Sequence, residues 1–231
     1  MTIDPRQLPL DRSFDDVALR GEALGAERLS PDAVRRRFLK GGPWTPELRS
    51  DPRLHPEPTE LLKPAAVLIA LIVREDRLSV LLTRRSAHLQ DHAGQISFPG
   101  GRIEPSDQGP VEAALREASE ETGLAVERIE LLGTLPVYLT VTRFEVTPVV
   151  GMIEAPIALH LDASEVEDAF EVPLSFLMNP GNHQRRIATT RGEQRFVYTI
   201  PYHDGLREWM IWGITAAILR NLYAFLREAS L

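Results

Sequence analysis

No cysteine occurs among the 231 residues of the chain, which excludes disulfides, zinc–thiolate sites and a cysteine nucleophile. Long apolar runs are also missing, because the longest, residues 65–73, is too short to span a bilayer. The opening stretch, MTIDPRQLPLDRSFDD, has no apolar segment of the kind that a secretory signal needs. These absences predict a cytoplasmic protein with no membrane partner.

Positive charge is also in deficit. The formal net charge is -7 and the pI is about 5.4, so we expect no general attraction to a nucleic-acid backbone, although a local basic pocket could hold a small anion. Hydrophobic residues make up 43% of the chain, which is enough for a substantial core at this length. The composition therefore predicts a soluble globule without a nucleic-acid partner.

One short amphipathic helix is predicted over residues 110–122. Apolar side chains recur there at helical spacing, Pro110 stands at a suitable first position, and Gly123 is a suitable stop. Three carboxylates project together from the side of the helix that lies roughly opposite the apolar stripe. They belong to Glu117, Glu120 and Glu121.

This carboxylate cluster costs stability, because Glu117 is a helical neighbour of both Glu120 and Glu121 and each like-charge pair destabilises by about 0.2–0.5 kcal/mol. A solvated acidic face is the ordinary interpretation of such a pattern. Oxygen ligands without cysteine or a nearby histidine also suit Mg²⁺, which takes a few carboxylates, keeps some waters and completes its shell with substrate phosphates. Arg116 is placed to orient one of the carboxylates. On this second interpretation the pattern indicates phosphate chemistry.

The context of the helix favours the metal site. The pair Gly100-Gly101 follows a short strand-like segment, and the helix ends in REASEETGL at residues 116–124. This stretch resembles the box that defines the Nudix hydrolases and fits the second half of that box throughout. The resemblance implies Mg²⁺ or Mn²⁺ bound by four groups. These are the side chains of Glu117, Glu120 and Glu121 and a backbone carbonyl near Gly101.

The first half of the box departs from the usual pattern. The residue counted back from Arg116 is Gln108 where the family has Glu, whereas Asp107 stands at the usual distance from Gly101. A one-residue insertion before the helix explains both facts. It keeps the three glutamates as ligands and leaves the role of Asp107 open.

A second motif narrows the substrate. The chain reads LLTRRS at residues 81–86, then Gly94, then FPGG at residues 98–101. This order and spacing resemble the signature of the coenzyme A (CoA) pyrophosphatase branch of the Nudix hydrolases. Gln90 departs from the signature, which usually has Arg there. The resemblance implies hydrolysis of CoA or acyl-CoA at its diphosphate, with 3′,5′-ADP and 4′-phosphopantetheine as the products of CoA.

Two arginines, Arg84 and Arg85, end the strand that carries this signature. Strand alternation points them to opposite faces, so we expect only one of them to enter the site. We favour Arg85, in the signature position, as a bidentate phosphate contact, with a surface ion pair as the alternative. His88 and His92 lie one helical turn apart, but no third ligand accompanies them, and we interpret them as loop histidines.

The resemblance leaves the general base open between Glu120 and Glu165. The substrate-binding candidates are Arg85, Arg84, Gly100 and Gly101, and Arg116 joins the glutamates as a catalytic candidate. Two alternatives stay open: a Nudix pyrophosphatase acting on ADP-ribose or NADH, and a catalytically silent Nudix domain that binds a nucleotide. The intact glutamates argue against the silent domain, because a binder does not need the repulsion that they cause. A homodimer is common among relatives and is compatible with this sequence.

The rest of the chain predicts an N-terminal extension over residues 1–58 and a Nudix hydrolase domain over residues 59–231. The extension has one helix, residues 30–39, capped by Ser30; its arginines at 35–37 are interpreted as a solvated face, with a phosphate contact as the alternative. Residues 52–58 are predicted as loop. Strands are predicted at residues 65–74, 78–84, 129–137, 144–153 and 195–201. Further helices are predicted at residues 165–170, 174–177 and 212–227. This order implies an α/β (α+β) fold with a mixed β-sheet covered on both faces, in agreement with the α/β/α sandwich that the Nudix resemblance implies.

Overall fold

A computed structural model of the protein describes residues 4–51, 62–88, 93–190 and 192–228. Gln90, His92 and the loop predicted at residues 52–58 lie outside the described residues, as does the predicted boundary after residue 58. Within the described ranges, no helix is long and apolar enough to cross a membrane.

The elements follow one another from the N-terminal helices to a long final helix. The α-helices are α1 (Val17–Arg20), α2 (Ala26–Leu29), α3 (Pro31–Lys40), α4 (Pro110–Thr122), α5 (Leu174–Leu177) and α6 (Gly213–Arg227). The strands are β1 (Lys63–Arg74), β2 (Arg77–Arg85), β3 (Ile96–Ser97), β4 (Gly100–Arg102), β5 (Glu130–Thr134), β6 (Tyr138–Leu139), β7 (Phe144–Glu154), β8 (Val166–Pro173), β9 (Gln184–Thr190), β10 (Glu193–His203) and β11 (Glu208–Trp212). Short 3-10 helices lie at Pro5–Gln7, Arg12–Asp15, Val126–Arg128 and Pro180–Asn182.

The main sheet is mixed. Its path runs β3-β2-β1-β7-β5, with β4 paired to β1, β6 to β7 and β8 to β2. The β1–β7 pair is parallel, and the β1–β2 hairpin is antiparallel. A second, antiparallel sheet has the order β11-β10-β9.

Both faces of the main sheet are covered, which explains why β1 is almost continuously apolar. Ala66, Leu68, Ala70 and Ile72 join α4 in one buried cluster. Alternate residues of the same strand, such as Ile69 and Leu71, join α6, the second sheet and the N-terminal helices in the other. The mixed sheet between helices confirms the predicted fold class.

Helix α4 begins and ends where the sequence predicts. Pro110 occupies its first turn, and Gly123 ends it in the left-handed conformation, with φ 66°. Ser30 likewise caps α3, because its hydroxyl oxygen accepts a hydrogen bond from the Ala33 N–H at 3.3 Å.

The prediction of a helix at residues 165–170 is wrong. Residues from Val166 onward form β8, which pairs antiparallel with β2. Pairing with an existing strand outweighs local helix propensity there. The strands β9 and β11 were not predicted, and the final helix begins at Gly213 instead of residue 212.

The interpretation of residues 35–37 as a solvated face is wrong for two of the three arginines. Arg35 donates to Glu130 Oε2 through Nε at 2.7 Å. Arg37 is buried, donates to the Phe225 carbonyl at 2.8 Å and lies over the Phe225 ring. Only Arg36 is exposed. The run therefore attaches the N-terminal segment to β5 and α6.

Candidate active site

The glycine pair brings the chain close to the carboxylates of α4. A Cβ at Gly100, which has φ 151°, would lie 2.4 Å from the Ala66 carbonyl oxygen. A Cβ at Gly101 would lie 2.5 Å from the Glu117 carboxyl carbon. Strand β4 therefore pairs with β1 and approaches Glu117 only because both positions are glycine.

Glu121 is the buried carboxylate of the site, with a side chain only 4% exposed. Its Oε2 accepts a hydrogen bond from the Gly100 N–H at 3.2 Å, and its Oε1 lies 3.7 Å from Arg85 Nη1. Burial raises the pKa of Glu121 to about 7, against the lowering effects of the Gly100 N–H and of Arg85. The structure thus places Arg85 beside a carboxylate that is costly to ionise.

Glu117 and Glu165 interact electrostatically with Glu121. Burial raises the pKa of Glu117 despite the opposing effect of Arg116, and the charges of Glu120 and Glu165 raise it further. The charges of Glu117 and Glu165 also raise the pKa of Glu121. The structure therefore brings Glu165, from the turn before β8, into the electrostatic field of the two α4 carboxylates.

Arg116 organises the opposite side of the cluster. Its Nη1 donates to Glu120 Oε2 at 2.8 Å and lies 3.1 Å from Glu117 Oε1. Its Nε and Nη2 donate to the two oxygens of Asp107 at 3.0 and 3.1 Å, and this guanidinium lowers the pKa of Asp107. Asp107 also accepts the Glu104 N–H at 2.7 Å. The residue whose role was open therefore fixes Arg116 to the loop before α4.

A divalent cation fits the chemistry of this donor set. Within the part of the chain that the structure describes, no three acidic or histidine side chains are arranged to hold a metal by themselves. The Glu117 and Glu121 carboxylates are nevertheless oxygen donors with raised pKa values and like charge, and a hard cation would relieve both their desolvation and their repulsion. Such a cation would still need water or substrate oxygens to complete its shell.

Ser86 holds the turn that carries Glu165, a contact that sequence reasoning missed. The buried Ser86 hydroxyl donates to the Ala163 carbonyl at 3.1 Å, and its N–H donates to the Glu165 carbonyl at 2.8 Å. Ser86 follows Arg85 in the LLTRRS motif. Its place in that motif was the one indication in the sequence that Ser86 belongs to the site. Its partner turn lies 77 residues away, so the contact could not be inferred from spacing.

Arg84 points to the other face of β2, as alternation predicted. Its Nε lies 3.4 Å from Glu167 Oε2, and its side chain lines a cavity together with residues of β11. His88 is exposed, and its Nε2 lies 3.0 Å from the Ser164 carbonyl oxygen. This contact places His88 against the surface turn before β8.

The box, the glycine pair and the carboxylates agree with a family match: the NUDIX domain model matches residues 62–186. The chain therefore belongs to the Nudix hydrolase family. It is 43% identical over 158 residues to the uncharacterized Nudix hydrolase NudL of Citrobacter koseri, covering 68% of this chain and 80% of that protein.

NudL of Escherichia coli K12 is 40% identical over 158 residues, with the same two shares of 68% and 80%. Among solved structures, the Ap4A hydrolase of C. elegans in a binary complex aligns with a TM-score of 0.40 and 21% identity, covering 48% of this chain and 80% of that chain. The domain match and the NudL relatives, and not this distant likeness, establish the family.

Proposed function

We propose that the protein hydrolyses the diphosphate of CoA, and of acyl-CoA, with Mg²⁺ or Mn²⁺ as cofactor, and that it releases 3′,5′-ADP and 4′-phosphopantetheine from CoA. One observation carries the proposal. Arg85 Nη1 lies 3.7 Å from Glu121 Oε1, and Glu117 is near enough for its charge to raise the pKa of Glu121. This grouping of two carboxylates and a guanidinium supports neighbouring sites for a cation and for a phosphate. The choice of CoA rests on the LLTRRS…FPGG motif, which resembles the CoA pyrophosphatase signature.

The proposed metal-binding groups are the carboxylates of Glu117, Glu120 and Glu121 and the carbonyl near Gly101. When bound, a divalent cation neutralises phosphate charge and lowers the pKa of a coordinated water. Arg116, held by Asp107, keeps the Glu120 and Glu117 carboxylates oriented. Arg85 offers a guanidinium for the oxygens of the diphosphate.

Glu165 is the better of the two candidates for the general base. The Glu120 carboxylate is engaged by Arg116 at 2.8 Å, and this contact holds it in the role of an oriented ligand. Glu165 instead stands on a turn whose backbone is fixed by Ser86, close enough to raise the pKa of both Glu117 and Glu121. We propose that Glu165 accepts the proton of the attacking water.

A substrate panel tests the function. CoA, acetyl-CoA, dephospho-CoA, ADP-ribose and NADH are incubated with the full chain and Mg²⁺, and phosphorus NMR identifies the products. We expect the highest kcat/KM for CoA or acetyl-CoA and no turnover by the Glu117→Gln variant. Preference for ADP-ribose or NADH would refute the CoA assignment and keep the enzyme class, whereas no turnover of any diphosphate would refute both.

A further inference from the structure

A cavity of about 490 Å³ opens on the face of β2 away from α4. Four separate segments line it: the N-terminal turn with Arg6, the end of β2 with Arg84, residues 93–96, and the stretch from Arg207 to Trp212. Its volume lies within the range of small-molecule sites. The second sheet and the N-terminal segment, which were not part of the predicted site, therefore build a compartment next to the strand that carries Arg85.

The walls of the cavity combine cations with aromatic surface. Three guanidinium groups line it, those of Arg6, Arg84 and Arg207, together with the indoles of Trp209 and Trp212. Arg207 lies over the Trp209 ring with 4.6 Å between its guanidinium carbon and the ring centroid. Guanidinium groups bind phosphate bidentately, and flat aromatic rings stack on nucleobases.

Contacts outside the cavity hold two of these cations in position. Arg84 lies 3.4 Å from Glu167 Oε2, and Arg207 donates to Asp168. Both acids belong to β8, and neither is among the described residues that line the cavity. Two other acids, Asp4 and Glu208, do line it, so the described wall carries three cationic and two anionic side chains. One of those acids, Asp4, accepts the backbone N–H of Arg6 at 2.9 Å, which shapes the N-terminal turn.

We propose that this cavity binds a nucleoside that carries a phosphate monoester, with the arginines on the phosphate and the Trp212 indole against the base. The Trp209 ring is already covered by Phe170, stacked at 4.0 Å between centroids, and by Arg207. The inference rests on the proposed function for one of two possible sources, the nucleotide end of CoA with its ribose 3′-phosphate. The other source is a free nucleotide. Arg84 and Arg85 are consecutive residues that serve the two faces of one strand, and the β2–β8 register shifts between them. Alternation along β2 directs Arg85 to the carboxylates and Arg84 to the cavity. The extra residue of the irregularity is Glu167 of β8, whose carboxylate lies beside Arg84.

Binding of 3′,5′-ADP tests the inference without turnover, because this compound has no diphosphate to cleave. Isothermal titration calorimetry is run on the full chain, on Arg6→Ala and on Arg84→Ala. Arg36→Ala is the matched control, because Arg36 is an exposed arginine on α3. We expect each cavity variant to bind about 10- to 100-fold more weakly, the range of one charge-assisted contact. The control should bind like the unmodified chain.

Unchanged affinity in both cavity variants would overturn the inference. Arg6 lies on a surface turn, so Arg6→Ala keeps the test valid if Arg84→Ala fails to fold. Quenching of tryptophan fluorescence by 3′,5′-ADP gives a second readout, since Trp209 and Trp212 line the cavity. Loss of this quenching in Trp212→Leu is expected, and full quenching in that variant would remove the indole from the proposal.

The kinetic arm distinguishes the two sources. The ratio of kcat/KM for CoA to kcat/KM for dephospho-CoA is measured for each variant. A fall of about ten-fold or more in Arg6→Ala and Arg84→Ala identifies the ribose phosphate of the substrate as the ligand. Unchanged kcat/KM for both substrates, together with weakened 3′,5′-ADP binding, identifies a free nucleotide. Equal losses for both substrates would refute the phosphate contact.

Failure of the proposed function is separable from failure of this inference. A chain that binds 3′,5′-ADP through Arg6 and Arg84 but hydrolyses no CoA keeps the cavity and loses the CoA assignment. A chain that hydrolyses CoA with equal efficiency in both variants and binds 3′,5′-ADP unchanged keeps the assignment and loses the cavity.

Discussion

Glu121 shows how a single residue sets the electrostatics of the site. It is buried beneath the glycine pair, and burial raises its pKa to about 7 from an ordinary value of 4.5. The folded state therefore holds a proton that the unfolded state has released between these two pH values. Below pH 4.5 Glu121 is protonated in both states, and its burial does not lower the stability of the fold through ionisation. The loss of stability grows as pH rises and is complete above the folded pKa.

The stability of the metal-free protein should accordingly fall as pH rises from 5 to 8. The difference in pKa corresponds to a cost on the order of 3 kcal/mol when Glu121 is fully ionised. We expect Glu121→Gln, measured by urea unfolding in EDTA, to be more stable than the unmodified chain at pH 8 and to approach it at pH 5. Glu127→Gln, an exposed substitution of the same kind, should follow the unmodified chain. Parallel pH curves for all three proteins would contradict the role given to Glu121.

Glu120 differs from its neighbours because its side chain is 60% exposed. Glu120→Gln should leave the fold intact, since it loses one exposed ion pair with Arg116 and relieves repulsion with Glu117, effects that are each about 0.5 kcal/mol or less. Turnover should nevertheless fall by about a hundred-fold or more, because a proposed metal ligand is lost. Steady-state kinetics with Mg²⁺ and a thermal melt in EDTA check both halves, and near-normal turnover would exclude Glu120 as a ligand.

At the scale of elements, the sequence was sufficient to predict an element whose ends are marked by residues that start or stop it. Helix α4 has proline at its start and glycine at its end, and both boundaries were predicted correctly. Strand β8 has no such punctuation, and its pairing with β2 depends on residues about ninety positions away. Spacing was sufficient to propose the three glutamates as a cluster, whereas the contacts of Asp107 and Ser86 exist only after the loops have folded against the sheet.

The turn before β8 offers a test of positioning. Ser86→Ala removes the hydrogen bond to the Ala163 carbonyl and should cost about 1 kcal/mol of stability. We also expect kcat to fall about ten-fold with a smaller change in KM, because a displaced Glu165 affects proton transfer more than substrate binding. The matched control is Ser164→Ala, whose hydroxyl bonds Asp162 on the exposed side of the same turn. Equal kinetics for the two variants would place Ser86 outside the catalytic arrangement.

At the scale of the whole molecule, the N-terminal segment is joined to the last helix through Arg220. This arginine is 1% exposed, donates to both carboxylate oxygens of Glu47 at 2.8 and 2.6 Å, and donates to the Arg20 carbonyl at 3.1 Å. His183 lies beside it, and burial together with the charge of Arg220 lowers the pKa of His183 to about 3. The segment therefore supplies the counter-ion of a buried cation.

Removal of that counter-ion should destabilise the entire chain. We expect Glu47→Ala to lose about 2 kcal/mol or more, because it leaves a buried guanidinium without its carboxylate, and to lower Tm by roughly 5 °C or more at this chain length. Differential scanning calorimetry should show one transition, with Glu27→Ala, an exposed position on α2, as the control. A separate early transition in Glu47→Ala would mean that the segment unfolds independently of the Nudix unit.

We expect the proposed metal to serve catalysis and not folding. Chelation with EDTA should abolish activity, and Mg²⁺ or Mn²⁺ should restore it, while the far-UV circular dichroism spectrum stays unchanged, because two extensive buried clusters support the fold without a cation. Zinc should not be required. Unfolding on chelation would show that the metal site is structural.

The contacts of the N-terminal segment have a consequence for synthesis on the ribosome. The Asp11 N–H bonds the Arg185 carbonyl at 2.7 Å, the Tyr223 hydroxyl bonds the Glu22 carbonyl at 2.8 Å, and Arg37 bonds the Phe225 carbonyl at 2.8 Å. The segment that is translated early thus has its partners in β9 and α6, which are translated late. Such long-range contacts form slowly. The nascent N-terminal segment can therefore dock only after α6 has left the exit tunnel. Until then its apolar side chains are accessible to chaperones.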